Sequence, residues 1–433
     1  MFEGTNLSIG ENNHLMIGRH DAVELARQFG TPLYVLDEDL MRQNCRAYRQ
    51  AIEEYYDGNG LAIFASKALC TVHTARVAAE EGLGADVVSG GEIYTLRAAG
   101  VSMDHVFFHG NNKSREEIAF AMDSGVGYFI VDHPMELDWI EQAAAERGIV
   151  QKVLFRIKPG IEAHTHDYVK TGQIDCKFGL ALETGEAFEV LGEAVKLPHV
   201  QVEGVHCHIG SQVFDVEPFC EAARRMIDFM ACLRDELDLP VHMLNLGGGF
   251  GIRYEKEDDP PTLAQYMQAV TEAVRVRAAE KNVPLPFLLL EPGRAIVGPA
   301  GITLYTAGCV KKIPGARTYV SVDGGMGDNP RYILYGAKHA ALVANRAGDP
   351  TVGPVTIAGK CCESGDLIRE HVPLQAVHSG DIVAVLATGA YNYSMASNYN
   401  RLPRPAMVAV RGEEARVIVR RETYADLVRC ELE

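Results

Sequence analysis

The sequence predicts an α/β chain, a TIM-like (β/α)8 barrel followed by a C-terminal all-β domain of sandwich or barrel-like form. Three observations carry this expectation. Eight short apolar runs alternate with amphipathic stretches over about 230 residues, the size of a (β/α)8 barrel. Residues able to do chemistry fall at the ends of most of those runs, which suits a closed ring better than a single crevice. After Arg294 the texture changes to β-branched runs separated by Gly, Pro and Asp turns, with little helical pattern between them.

The elements follow in order. Residues 1–35 form an N-terminal segment expected to join the β domain, because Pro32–Leu36 is strand-like. Residues 36–294 form the barrel. Its strands are expected at Leu61–Ala65, Ala85–Val88, His105–Phe108, Tyr128–Val131, Val153–Ile157, Val202–His206, Met243–Leu246 and Phe287–Leu290. Each is bounded by turn or polar residues, as buried parallel strands are. Helical stretches lie between them at Thr71–Glu81, Glu92–Ala99, Arg115–Ser124, Met135–Arg147, Pro218–Glu236 and Leu263–Lys281. Glu255–Asp259 with Pro260 and Pro261 is a solvated loop. Residues 295–433 form the β domain, with strands expected at Ile302–Ala307, Thr318–Val322, Pro354–Ala358, Asp381–Ala387 and Arg416–Arg420.

Composition narrows the function. The 433 residues carry 41 Lys and Arg against 58 Asp and Glu, a formal charge of −17, and 47% are hydrophobic. Such apolar content excludes a disordered chain. The acidic balance argues against nucleic acid or an anionic membrane as a partner. The longest apolar runs are far too short to span a bilayer, and the first twenty residues hold no signal-like apolar core, so a soluble cytoplasmic protein is expected. Ten cysteines without a Cys-x-x-Cys pair suggest neither a disulfide framework nor a zinc ribbon.

Several constellations could carry chemistry. Lys67 ends the first strand among small apolar residues, where partial burial would make its amine a nucleophile towards a carbonyl. Leu244–Gly251 is a strand running into a glycine-rich turn. It can cradle an anion on backbone N–H groups, or simply be a tight turn. It is neither a dinucleotide fingerprint nor a P-loop. Glu291-Pro292-Gly293-Arg294 ends the eighth strand with a carboxylate that could meet a cationic ring nitrogen or pair with Arg294. His206-x-His208 and His164-x-His166 have strand spacing for metal ligation but no evident third ligand, so no metal is expected. Cys362-Glu363-Ser364-Gly365-Asp366 places a thiol beside acids, and Arg331, Tyr335 and Tyr391 add cationic and phenolic groups on glycine-containing loops.

Taken together these motifs resemble those of the fold-type III pyridoxal-phosphate decarboxylases, most closely the branch acting on diaminopimelate. The resemblance runs from about Gly30 to Leu402. It rests on FASKA at Lys67, KFG at Lys177–Gly179, HCHIGSQ at His206–Gln212, LNLGGGFG, EPGR, DNPRYILYGA, CESGD and GAYNYSMASNYN. It implies pyridoxal 5'-phosphate held covalently by Lys67 and stacked on by His208. Ser211, Gly249 and Gly293 with its neighbours Pro292 and Arg294 would take the phosphate, and Glu291 the pyridine nitrogen. Arg294, Arg331, Tyr335 and Tyr391 would bind substrate, Tyr391 touching the cofactor as well. It further implies a homodimer with a shared active site, Cys362 and Glu363 entering from the partner subunit.

The implied reaction is decarboxylation of meso-2,6-diaminopimelate to L-lysine and CO₂, the last step of lysine biosynthesis. A carboxylate at Glu291 keeps the pyridine protonated, whereas the related alanine racemases place an arginine there; Glu291 therefore favours decarboxylation. Cys362 is suited to protonate Cα afterwards. Glu363 with Arg331 could recognise the far ammonium and carboxylate of the substrate. The sequence departs from the family pattern at Tyr332, at FASKAL and at Asn392, all close to the expected pocket. Paralogous decarboxylases of ornithine, arginine, D-lysine or a glutamyl-carrier-protein conjugate are the nearest alternatives. A non-catalytic regulator of the same fold is disfavoured because Lys67, Glu291 and Cys362 are all present.

Overall fold

The computed structural model describes residues 2–161 and 176–432. The chain divides into two compact units, one of Met1–Asn44, Ile252–Asp259 and Arg294–Glu433, the other of Cys45–Gly251 and Pro260–Gly293.

The second unit is built on eight parallel strands: β1 (Gly60–Ala65), β2 (Gly84–Val87), β3 (Val106–Phe108), β4 (Tyr128–Val131), β5 (Gln151–Lys158), β6 (Val200–His206), β7 (Met243–Asn245) and β8 (Phe287–Leu290). Each pairs in parallel with the next, and β8 pairs with β1, so the sheet closes. All eight expected strands are found, two of them with the expected ends. The helices between them start where the sequence supplies a cap. Thr71, Ser89, Ser114 and Thr262 each accept a backbone N–H from the first turn, satisfying donors a helix start leaves open.

Period-2 alternation decides what fills the barrel. Leu61, Tyr128, Met243 and Phe287 pack against a buried cluster of Ile63, Phe107, Ile130, Leu154 and Leu289, contributed from all round the ring. Phe107 and Tyr128 stack with ring centroids 4.6 Å apart. Two residues further along, the same face carries Asp86, His109, Asp132, Arg156, His206, Asn245 and Glu291. An apolar plug thus gives way to a polar crown at the C-terminal ends of the strands.

A buried ion pair braces that end. Lys113, its side chain 1% exposed, donates to Glu136 Oε1 at 2.6 Å and to the carbonyls of Ile130 and Gly110 at 2.7 and 2.9 Å. Glu136 Oε2 in turn accepts the Asp132 N–H. Lys113→Met should destabilise the chain by about 3 kcal/mol, because it strands a buried carboxylate. Burial already raises the Glu136 pKa, so protonation limits the loss. A urea midpoint for Lys113→Met beside the Lys113→Met/Glu136→Leu double variant checks this, with the double variant expected to regain stability.

The first unit is mostly sheet. One path of strands runs Leu367–Leu374, Gly353–Ala358, Arg317–Val322, Gly301–Ile313, Leu33–Asp37, Ala406–Arg411 and Glu414–Val419, with Ile382–Val385 bridging Gly301–Ile313 to Ala341–Val343. Leu33–Asp37 is antiparallel to Gly301–Leu304 and parallel to Ala406–Val410. Sequence reasoning missed Leu367–Leu374, whose apolar residues are interrupted by Arg369, Glu370, His371 and Pro373. It also missed Ala406–Arg411, which follows two prolines, and the small sheet of Leu7–Ile9, Leu15–Ile17 and His20–Asp21. Among the described residues no helix is long and apolar enough to cross a membrane.

Candidate active site

The crown converges on Glu291. Its backbone N–H donates to Gly247 O at 2.8 Å, continuing the β7–β8 ladder past the strand ends and fixing the side chain over the barrel mouth. Asn245 Nδ2 donates to Glu291 Oε1 at 2.8 Å. His109 Nε2 lies 3.0 Å and His206 Nε2 3.4 Å from the same oxygen. Burial alone would raise the pKa of Glu291, but the two histidines and their contacts take it well below the usual carboxylate range. Burial lowers His206 to about 4, so it is a neutral imidazole at neutral pH. Glu291 is therefore an anion, approached on Oε1 from three sides.

Lys67 lies in the single 3-10 turn Ser66–Ala68 that follows β1. Its side chain is 43% exposed, and Nζ lies 3.4 Å from Asp86 Oδ2. Its setting corrects the expected apolar one: an acid buried in Gly-Ala-Asp-Val of β2 meets the amine. Asp86 Oδ1 is buried without a hydrogen-bond partner. Nearby, desolvation raises Glu92 to about 7, although its carboxylate accepts the Val88 N–H at 2.7 Å. His208 Nδ1 accepts the Gly248 N–H at 3.3 Å. Desolvation, then the cations of Lys67 and Arg156, push the His208 pKa well below that of ordinary imidazole.

The glycine turns are compact. Gly249 sits at φ +110, and a Cβ there would lie 2.4 Å from Gly210 O. That contact draws the turn after β7 against the His208–Ser211 turn after β6. A Cβ on Gly293 would meet the Ala65 side chain at 2.9 Å, beside Lys67. Lys67, His208, Ser211, Gly249, Glu291, Pro292 and Gly293 thus all lie in this unit, at the ends or following turns of β1, β6, β7 and β8.

The remaining predicted residues belong to the mostly-sheet unit, which gathers most of them. Arg294 donates to the Tyr254 hydroxyl and lies 4.8 Å from the Tyr391 ring centroid. Arg331 lies 4.3 Å from the ring of Tyr335 and 5.2 Å from that of Tyr391. Two guanidiniums thus lie against one phenol ring, and the Arg331 pKa is lowered by burial and then by Arg294. Tyr391 holds φ +64, uncommon for a non-glycine residue, which marks a constrained position. Cys362 and Glu363 are exposed in the turn after Gly353–Ala358. The Cys362 N–H donates to Asn400, and Tyr399 reaches Glu363 at 3.5 Å.

Sequence reasoning missed the part played by Asp86, His109, Asn245, Arg156 and Tyr254. His206 was visible only as half of a metal pair. Among the described residues His109, His206 and Glu291 are the group with metal-ligand spacing. His164 and His166 lie outside the described residues.

This chemistry suits one kind of ligand. A buried anion at Glu291, an unpaired acceptor on Asp86, a neutral imidazole and an accessible amine fit a cationic ring nitrogen and a carbonyl. Comparison with known proteins gives the same answer. Residues 38–298 match the model of the pyridoxal-dependent decarboxylase pyridoxal binding domain. The chain is 47% identical to diaminopimelate decarboxylase of Bacillus subtilis over 98% of its own length and 96% of the relative's. It matches the crystal structure of diaminopimelate decarboxylase from M. jannaschii in complex with L-lysine with a TM-score of 0.93 and 36% identity, over 100% of this chain and 99% of that one. The Helicobacter pylori enzyme, also solved with L-lysine, matches with a TM-score of 0.87 and 33% identity, over 95% and 99% of the two chains. The cofactor is accordingly pyridoxal phosphate, and this chain belongs to the diaminopimelate decarboxylase family of pyridoxal-dependent decarboxylases.

Proposed function

We propose that the chain decarboxylates meso-2,6-diaminopimelate to L-lysine and CO₂, the last step of lysine biosynthesis. The observation that carries the chemistry is the buried, anionic Glu291 at the mouth of a barrel whose first strand runs into the turn that holds Lys67. Pyridoxal phosphate bound there supplies a sink for the electron pair left on Cα as CO₂ departs.

The chain's own residues do the rest. Lys67 tethers the cofactor through its amine. Glu291 holds a proton at the ring nitrogen and keeps the sink electron-poor. Neutral His208 stacks on the ring without adding a second positive charge. Ser211, Gly249, Pro292, Gly293 and Arg294 receive the phosphate. Arg331 and Tyr335 hold the substrate, and Tyr391 sits between substrate and cofactor. Cys362 returns a proton to Cα, and Glu363 receives the distal ammonium. A substrate without a distal carboxylate would leave the buried Arg331 unpaired, which disfavours ornithine.

The chain works as a homodimer in this reading, each site completed by Cys362 and Glu363 of the other subunit. Their exposure in the single chain supports it. All ten cysteines are free, which suits the reducing cytoplasm. The test is release of CO₂ and lysine by protein loaded with pyridoxal phosphate. The meso and L,L isomers of diaminopimelate, ornithine, arginine and lysine are compared. Turnover of the meso isomer alone is expected; turnover of ornithine or arginine in its place would move the chain to a paralogous decarboxylase.

A further inference from the structure

We infer that His109, His206 and Asn245 form a three-donor clamp on Glu291 Oε1 that turns Oε2 towards the ring nitrogen of the cofactor. The inference deepens the reading above and rests on it. Three strands supply the clamp: His109 follows β3, His206 ends β6 and Asn245 ends β7. All three are buried, and their nitrogens stand 3.0, 3.4 and 2.8 Å from the one oxygen. Among the described residues Oε2 takes no hydrogen bond. The division is asymmetric: Oε1 has three nitrogens within 3.4 Å, of which Asn245 Nδ2 makes an aligned hydrogen bond, and Oε2 has none bonded to it.

Each clamp member is itself held. Asn245 Oδ1 accepts the Gly247 N–H at 2.8 Å, so its amide cannot flip without losing that bond. The rings of His109 and His206 meet edge to face with centroids 5.0 Å apart, which fixes their tilt. Both ring nitrogens of His206 and Nε2 of His109 are buried and make no aligned hydrogen bond, to Glu291 or to any other described residue. Glu291 is the acid they approach. A carboxylate in such dry surroundings would bind a proton if it stood alone, and a protonated Glu291 would lack the negative charge that keeps the ring nitrogen protonated. The clamp therefore does two things: it keeps the charge on Glu291 and it selects which oxygen faces the cofactor. His109 and His206 act through Glu291 and are positioning residues.

The test separates this role from packing by changing the cofactor. Pyridoxal phosphate and 1-deazapyridoxal phosphate, in which carbon replaces the ring nitrogen, are titrated into the apo full-length chain and followed by fluorescence. The wild type should prefer the natural cofactor. His109→Leu and His206→Leu should reduce that preference about tenfold, the loss expected for one hydrogen bond to a charged group. His109→Gln and His206→Gln, which keep an amide donor, should restore most of it. Should the leucine variants fail to fold, Asn245→Ala removes a donor without touching the rings and should show the same loss.

An unchanged ratio with both affinities lowered would reduce the residues to packing and overturn the clamp. A divalent ion retained one-to-one by the apo chain and lost in His206→Leu would make the triad a metal site instead. Equal binding of both cofactors by the wild type would remove Glu291 itself from the ring nitrogen. That result is distinct, because the earlier assay can still report turnover.

Discussion

Lys67→Ala is expected to reduce turnover of meso-diaminopimelate by on the order of 10⁴-fold or more, because it removes the amine proposed to tether the cofactor. The fold should survive. Lys67 is 43% exposed, and its contact with Asp86 is long, at 3.4 Å. Reduction with borohydride should leave cofactor attached to the Lys67 peptide of the wild type and to no peptide of the variant. A variant that keeps the attached mass would put the tether on another lysine. Unattached cofactor should still bind the variant, since Glu291 and the glycine turns are untouched.

Cys362→Ala should cost about 10²–10⁴-fold in kcat, the usual contribution of a positioned acid. Its KM should hardly move, because Arg331 and Tyr335 remain. The variant also reports assembly. Mixing Lys67→Ala with Cys362→Ala, each inactive alone, should return about a quarter of wild-type activity, since half the dimers are hybrids and each carries one intact site. No recovery after dissociation and remixing would place Cys362 in the site of its own subunit or outside any site. Cys362 is exposed and its N–H is tied to Asn400, so the substitution should leave stability nearly unchanged.

The barrel was legible because its strands are short, apolar and regularly spaced, and because each is closed by a cap or glycine that the sequence names. Tyr128–Val131 and Phe287–Leu290 were placed to the residue. The β domain was harder. Leu367–Leu374 pairs on one edge with Gly353–Ala358 and needs few apolar residues, so its pattern resembles a loop. The site divided the same way. Lys67, Glu291 and the glycine turns stand at strand ends in recognisable motifs. Asp86 does not, since a buried acid inside an apolar strand reads as an irregularity until the ring is closed. Asn245 and His109 come from strands far apart in sequence, and their common target at Glu291 exists only after β3, β7 and β8 are wrapped together.

The position of Leu33–Asp37 also bears on how the chain is made. This fully buried strand lies between Gly301–Ile313 and Ala406–Arg411, so its first partner leaves the ribosome about 260 residues later. At about 5–20 residues per second the wait is on the order of tens of seconds. All eight barrel strands emerge within that interval, and most find their neighbour in the next one synthesised. The order of synthesis therefore favours a finished barrel carrying an unpaired apolar N-terminal strand, a template for wrong pairing until the last hundred residues arrive. Nascent chains stalled before residue 300 should bind chaperones through that strand, and full-length chains should release them.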